Sequence, residues 1–131
     1  MAAWAQTLTQ RHAEGSGHGV AIVDGATVVG AFMLCRPPAS PPWLDEGNAL
    51  TLHAFRVDPA QQGRGLALAA LAALPAYVRR HWPDTRALML GVNARNVAAQ
   101  RLYFKAGWQD TGRRQPGQIG EQLLLRLPLP A

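Results

Sequence analysis

The chain has 131 residues, the size of one domain, and its 48% hydrophobic and 16% charged residues are typical of a folded globular protein. No apolar run approaches the roughly 20 residues that cross a bilayer, and the first residues lack a secretory signal, so a cytoplasmic protein is expected. The net charge of +5 favours an anionic ligand without distinguishing a polyphosphate from a nucleic acid.

Cysteine and histidine positions predict neither a disulfide nor a metal site. Cys35 is the only cysteine, so no internal disulfide can form, and it is expected to be a small buried hydrophobe. No set of Cys and His residues has the spacing of a structural zinc site. With no internal repeat and no linker, the sequence predicts a single domain over residues 1–131, without a bound metal.

The first third of the chain predicts a helix, a hairpin and a loop. Apolar residues at helical spacing favour a short helix over residues 1–13. Two β-rich runs, 20–23 and 27–34, flank Asp24-Gly25, where glycine accepts the positive φ of a tight turn. Residues 36–48 hold four prolines and are expected to form an irregular surface loop.

A strand and a helix are expected next. Over residues 49–57 two sets of residues alternate and predict the two faces of a strand. The sets are Leu50, Leu52 and Ala54 on one face and Thr51, His53 and Phe55 on the other. A buried helix is expected over residues 66–80, in which Pro75 lacks an amide donor and should kink or end the helix near Leu74.

The last third predicts a strand, a helix and two closing strands. These are a short apolar strand over residues 87–92, a helix over 96–105 stopped by Gly107, and strands over 108–112 and 122–127. The order of the elements favours a mixed α/β fold with a single sheet and helices covering its faces.

Residues 57–67 place a glycine-containing turn between a strand and a helix. Such a turn presents free backbone amides and the positive end of the helix dipole to an anion. The turn is not a P-loop, because no Gly-Lys-Ser/Thr is present. Leu68 stands where a dinucleotide fingerprint needs a small residue. NTP hydrolysis and NAD binding are therefore disfavoured.

Two motifs in this chain resemble those of the GNAT superfamily of N-acetyltransferases. Gln62-Gly63-Arg64-Gly65-Leu66-Ala67, behind Val57-Asp58-Pro59, matches the superfamily's Arg/Gln-x-x-Gly-x-Gly/Ala signature position by position. Downstream, Asn96 precedes Leu102-Tyr103 and Gly107-Trp108, with Trp where Phe is commoner. The resemblance covers about half of the chain, roughly residues 49–108.

The resemblance implies a GNAT-like fold and an acetyl-CoA site. The fold would be a mixed, mostly antiparallel sheet flanked by helices, with a splay between the two central strands and a shortened N-terminal region. The turn amides and Arg64 would hold the CoA phosphates. The cofactor-binding residues that the resemblance implies are Phe55, Val57, Gln62, Gly63, Arg64, Gly65, Leu66, Ala67, Asn96, Ala99 and Tyr103.

By the same resemblance the chain would acetylate a primary amine by direct attack in a ternary complex. The backbone amide of Val57 would serve as the oxyanion donor, and Tyr103 would protonate the departing thiolate. The general base is open: His53 and Glu46 are candidates, together with Asp45, because the glutamate common in relatives is absent from this strand. Without the resemblance, Tyr103 would be read as core packing and Asn96 as a helix cap.

The acceptor is expected to be a small-molecule or peptide amine. Trp43, Asp45 and Glu46 hint at a cationic amine, since acids and an indole face both favour cations. The short N-terminal region leaves the acceptor wall open or completed by a second copy, so a homodimer is a further expectation.

Two other functions remain open at this point. One is an acyl-CoA sensor that binds the cofactor without turnover. The other is a module that binds nucleic acid or another anion through Arg79-Arg80 and Arg113-Arg114. No helix-turn-helix, zinc finger or aromatic RNA-binding motif supports the second.

Overall fold

The computed structural model describes residues 4–6, 17–37 and 39–130, and of residues 4–6 only the strand that they form. Its strands are β1 (Trp4–Gln6), β2 (Gly17–Asp24), β3 (Thr27–Cys35), β4 (Ala49–Val57), β5 (Ala87–Asn93), β6 (Gln109–Gly117) and β7 (Gly120–Pro128). Its helices are α1 (Leu66–His81) and α2 (Val97–Lys105), preceded by a short 3-10 helix, Pro59–Gln61.

All the described strands join one sheet of seven strands, in the order β1-β2-β3-β4-β5-β7-β6. Neighbouring strands are antiparallel except for β4 and β5, which are parallel and are connected through α1. The predicted fold class, a mixed and mostly antiparallel sheet flanked by helices, is confirmed.

The two central strands, β4 and β5, pair over only a short stretch. Their register runs from Ala49 opposite Ala87 to Thr51 opposite Met89 and then stops. Both strands continue, β4 to Val57 and β5 to Asn93, so the backbones diverge beyond Thr51. The predicted splay is therefore present, and it opens a cleft between β4 and β5.

One face of the sheet, here called the helix face, carries the hydrophobic core. Helix α1 contacts β1 and β4 and also α2, so the two helices share this face. Alternate residues of the strands point into the core and are buried there. They include Leu50 and Leu52 of β4, Leu88, Leu90 and Val92 of β5, and Leu123, Leu125 and Leu127 of β7.

The opposite face, here called the loop face, lies beneath the loop of residues 39–48. Residues that are directly opposite in neighbouring strands share a face, so Cys35, Thr51, Met89 and Arg126 form one row across four strands. Arg126 binds Glu46 of the loop. This ion pair ties the loop to the face opposite the helices.

A β-bulge interrupts β4 after His53. Between the pairs Ala31 with Arg56 and Met33 with His53, β3 advances by two residues and β4 by three. Ala54 takes a positive φ of 55° there, which is rare for a residue with a Cβ. The bulge turns Phe55 onto the helix face, so its predicted place beside Thr51 and His53 is wrong.

Three other sequence predictions need correction. Trp4–Gln6 form strand β1, so the predicted helix is wrong there, and the rest of residues 1–13 lies outside the described residues. Helix α1 continues through Pro75 to His81, so the predicted end near Leu74 is wrong; Leu74, Tyr77 and Val78 are buried on both sides of the proline. The closing strands are longer than predicted and meet in a turn at residues 118–119.

The approach of β3 to β4 at the bulge allows a stability test. A Cβ on Gly30 would overlap the carbonyl oxygen of Arg56 and lie 3.1 Å from the Cα of Val57. Gly30→Ala is expected to lower the free energy of unfolding by about 1–3 kcal/mol in urea denaturation. Gly47→Ala, where a Cβ meets nothing within 4 Å, is the control and should be nearly neutral. Equal effects of the two substitutions would refute the close approach.

Candidate functional site

The end of β4 directs one backbone amide into the cleft. The Asp58 amide donates to the Val29 carbonyl of β3 at 2.7 Å. Because successive N–H groups of a strand point to opposite sides, the Val57 amide points away from β3, toward the cleft. The Val57 carbonyl accepts a bond from the Gln62 side chain at 3.1 Å. Gln62 thus fixes the turn to the end of the strand.

The turn between β4 and α1 is built to leave its amides open. Gly63 and Gly65 have φ values of 85° and 74°, and a Cβ at either position would meet nothing within 4 Å. Gly65 is the N-cap of α1 and offers no side-chain acceptor to the first turn, which holds no acidic residue. The amides of Leu66 and Ala67 and the positive end of the helix dipole are therefore available to an anion.

Arg64, in the same turn, is engaged within the protein. Its guanidinium donates to Asp24 at 2.6 Å and to the side-chain oxygen of Gln61 at 2.5 Å. Asp24 ends β2, so the arginine links the turn to the β2–β3 hairpin. These two bonds use two of the five N–H groups of the guanidinium, so the side chain can still donate to a phosphate, and the backbone amides of the turn need no rearrangement.

A groove of about 570 Å³ adjoins the turn. It is lined by Val28, Val29, Gly30, Ala31, Arg56, Val57, Asp58, Pro59 and Gln62. Its walls come from β3, β4 and the turn, and none comes from β5. The groove is thus distinct from the cleft between β4 and β5.

Helix α2 brings Tyr103 to the cleft. Tyr103 is buried, and its ring centroid lies 6.3 Å from that of Phe55 on β4 and 5.8 Å from that of Trp108. Among the described residues, its hydroxyl has no hydrogen-bond partner. Burial raises the pKa of Tyr103 to about 12, so the phenol stays protonated at neutral pH and can act as a proton donor.

Asn96 caps α2. Its side-chain oxygen accepts the Ala99 amide at 3.1 Å, as the alternative reading of this residue predicts. Ala99 itself is half-buried and packs against the core. The amide nitrogen of the exposed Asn96 side chain has no hydrogen-bond partner within the described residues, so capping and ligand binding are compatible.

His53 lies on the loop face, beside Thr51. The His53 Nε2 is 2.7 Å from the Thr51 Oγ1, and the Thr51 hydroxyl donates to the Cys35 carbonyl at 3.4 Å. Burial lowers the pKa of His53, which keeps the imidazole neutral. Sequence reasoning missed Thr51 as a partner of His53. The available signal was their spacing, since residues i and i+2 of a strand share a face.

The acids of the loop are paired with arginines. Glu46 accepts two bonds from Arg126, at 2.8 and 3.1 Å, and this contact raises the pKa of Arg126. The exposed Asp45 lies 3.3 Å from Arg113, which also donates to the Trp43 carbonyl. The predicted attraction of a cationic acceptor to these acids is therefore weakened, because their charges are already neutralised.

The described part of the chain shows neither a metal-binding cluster nor a membrane-spanning helix. No group of three or more His, Cys, Asp or Glu side chains there is arranged to hold a metal ion. No helix in the same residues has the length and apolar character required to span a membrane.

The model of the acetyltransferase (GNAT) family matches residues 2–108. The chain belongs to this family. GNAT membership agrees with the splayed central strands and with the open turn at the start of α1.

Relatives of known sequence or structure are similar over part of their length. An uncharacterised N-acetyltransferase of Bacillus subtilis (strain 168), YbbJ, is 40% identical over 77 residues, which cover 59% of this chain and 48% of the relative. The match thus spans about half the length of that protein.

Two solved structures share the fold. A putative GNAT acetyltransferase from Desulfovibrio desulfuricans matches with a TM-score of 0.69 and 20% identity, over 90% of this chain and 72% of that one. The aminoglycoside acetyltransferase AAC(6')-Ib, in complex with coenzyme A and kanamycin, matches with a TM-score of 0.73 and 15% identity, over 86% and 67%.

The cap at Asn96 allows a test that needs no ligand. Asn96→Ala is expected to lower the free energy of unfolding by about 1 kcal/mol, because the Ala99 amide loses its acceptor. Asn96→Ser, which retains a capping oxygen, is expected to recover most of this loss. The measurement is urea denaturation followed by circular dichroism, and a neutral Asn96→Ala variant would exclude the cap.

Proposed function

We propose that this chain is an N-acetyltransferase that uses acetyl-CoA and a primary amine. One observation carries the proposal: a turn with open amides ends the strand that borders the cleft, and beside the same strand lies a buried tyrosine whose hydroxyl has no partner in the described part of the chain. The turn fits the pyrophosphate of the cofactor, because Gly63 and Gly65 leave space for close approach. The bound cofactor supplies an activated acetyl thioester.

The end of β4 would hold the thioester. The Val57 amide, which points toward the cleft, is the proposed donor to the carbonyl oxygen as negative charge develops there. Phe55 lines the same strand, and its ring packs beside Tyr103. Gln62, through its bond to the Val57 carbonyl, holds the turn in a fixed position relative to the proposed oxyanion donor.

Tyr103 is the proposed general acid. When the amine nitrogen forms its bond to the acetyl group and the thioester C–S bond breaks, Tyr103 would donate its hydroxyl proton to the departing thiol sulfur. The amine loses its first proton to the general base; the second proton, which the nitrogen loses after the attack, restores the phenol. Because the pKa of Tyr103 is about 12, the proton donor persists throughout the neutral range.

Of the three candidate bases, His53, Glu46 and Asp45, His53 is the proposed one. Its pKa is lowered by burial, so it is neutral and able to accept a proton. Glu46 is a weaker candidate, since both of its oxygens already accept bonds from Arg126. Direct attack of the amine in a ternary complex is part of this proposal.

The acceptor is proposed to be a small-molecule or peptide amine. Similar structures include the aminoglycoside acetyltransferase and the ribosomal-protein-S18-alanine N-acetyltransferase from Escherichia coli, the latter with a TM-score of 0.67 and 20% identity, over 88% of this chain and 71% of that one. Nucleic-acid binding is less well supported, because Arg113 and Arg114 are paired with Asp45 and Asp110. A homodimer, a cytoplasmic location and a single domain over the whole chain stay predictions.

Cofactor binding is tested by a substitution in the turn. Gly65→Glu places a carboxylate at the proposed phosphate site and is expected to weaken acetyl-CoA binding by at least tenfold in calorimetric titration. Gly112→Glu is the matched control: Gly112 also has a positive φ, 83°, and open surroundings, but lies on β6. Equal binding by both variants would contradict the assignment of the turn.

The role of Tyr103 is tested by removing only its hydroxyl. Tyr103→Phe is expected to keep acetyl-CoA affinity and to lower kcat by roughly 100-fold or more, because the thiolate loses its proton donor. Release of the CoA thiol in the presence of a panel of amines gives the rate. Tyr77→Phe on α1 is the matched control. A Tyr103→Phe variant with normal turnover would remove Tyr103 from the mechanism. A wild-type chain that binds acetyl-CoA but acetylates no amine would favour the alternative function, an acyl-CoA sensor that binds the cofactor without turnover.

A further inference from the structure

Thr51 has an unusual position for a polar side chain. It is 0% exposed, and among the described residues it is the one buried side chain of a polar, non-aromatic type. It lies on the loop face at the last paired position of β4 with β5, where the cleft begins. A buried hydroxyl needs hydrogen-bond partners, and Thr51 has two: the Cys35 carbonyl and the His53 imidazole.

Only one arrangement of the protons lets both contacts be hydrogen bonds at the same time. A threonine hydroxyl has one proton to donate and two lone pairs. The Cys35 carbonyl can only accept, so the Thr51 proton is directed to it. The 2.7 Å contact then requires His53 Nε2 to carry the hydrogen and to donate to Thr51. In a neutral imidazole this leaves Nδ1 with a free lone pair.

We propose that Thr51 is a positioning residue that holds His53 in its Nε2–H tautomer, with Nδ1 free to accept a proton from the acceptor amine. The proposal rests on the proposed acetyltransferase function. The ammonium form of the amine gives its proton to Nδ1 and keeps the electron pair with which it attacks. The imidazolium keeps its Nε2–H bond to Thr51 and later releases the added proton to solvent.

The surroundings of His53 favour this role. The residues on its face include Met33 and Cys35 on β3, Arg56 further along β4, Met89 and Gly91 on β5, and Leu124 and Arg126 on β7, with Glu46 in the loop above. Their titratable and charged members are Cys35, a neutral thiol whose pKa is raised by burial, the exposed Arg56, and the Arg126–Glu46 ion pair. No unpaired carboxylate among them stabilises the imidazolium, so burial keeps His53 neutral and basic.

The tautomer is measured directly by ¹⁵N NMR of the imidazole nitrogens in the full chain, without any ligand. The His53 signals are assigned among the four histidines by comparison with His53→Gln. The expected result is a protonated Nε2 and an unprotonated Nδ1 in the wild type and in Thr51→Ser. In Thr51→Val, which has a similar shape but no hydroxyl, the single tautomer is expected to be lost. A protonated Nδ1 in the wild type would overturn the proposal.

The catalytic consequence is measured by the pH dependence of kcat/KM. The wild type is expected to lose activity in acid as His53 is protonated, below the usual histidine pKa of about 6.5. Thr51→Val is expected to lower kcat/KM roughly tenfold or more and to shift the pH at which activity is lost in acid. Its acetyl-CoA affinity and its thermal unfolding are expected to stay close to the wild type. Thr51→Ser is expected to restore both the rate and the pH at which activity is lost in acid. A purely structural role of Thr51 would not require this recovery.

The outcomes separate the two proposals. If the wild type acetylates amines and Thr51→Val has the same rate and pH profile, the role of Thr51 is overturned and the acetyltransferase function stands. If the wild type binds acetyl-CoA but transfers no acetyl group, the proposed function fails, and with it the role of Nδ1 as base. Should Thr51→Val fail to fold, a slow Thr51→Ser variant with a scrambled His53 tautomer would overturn the proposal.

Discussion

The short pairing of β4 with β5 is the constraint on which the site depends. Parallel neighbours in the middle of a sheet normally satisfy each other's backbone groups, and here pairing stops after Thr51 opposite Met89. Beyond that point the edge of β4 that faces away from β3 has no strand partner among the described residues. The amide at Val57 is thus available to a ligand because the sheet is incomplete at its centre.

The bulge at Ala54 places different chemistry on the two faces of this strand. Before it, Thr51 and His53 lie on the loop face, and after it Phe55 turns to the helix face and meets Tyr103. The proposed proton acceptor, His53, and the proposed proton donor, Tyr103, therefore lie on opposite sides of the strand that borders the cleft. This division suits a reaction in which one proton leaves an amine and another reaches a thiolate.

Local chemistry made part of the site predictable. The glycines at 63 and 65 mark a strand-to-helix turn and predict that it binds an anion. Asn96 is a capping residue by type. Other features depend on partners that are distant in sequence. Glu46 is paired with a residue 80 positions away and Arg64 with one 40 positions away, so their availability could not be read from their own neighbourhoods.

The sequence by itself determined the order and approximate bounds of most elements, the turn and the two family motifs, because these depend on propensity, spacing and glycine stereochemistry over a few residues. Only the tertiary structure decided the bulge at Ala54, the continuation of α1 through Pro75 and the contact of Thr51 with His53. The physical reason is the same for all three: burial against distant strands overrides local preference, and strand register, which sequence periodicity leaves free, selects which side chains meet.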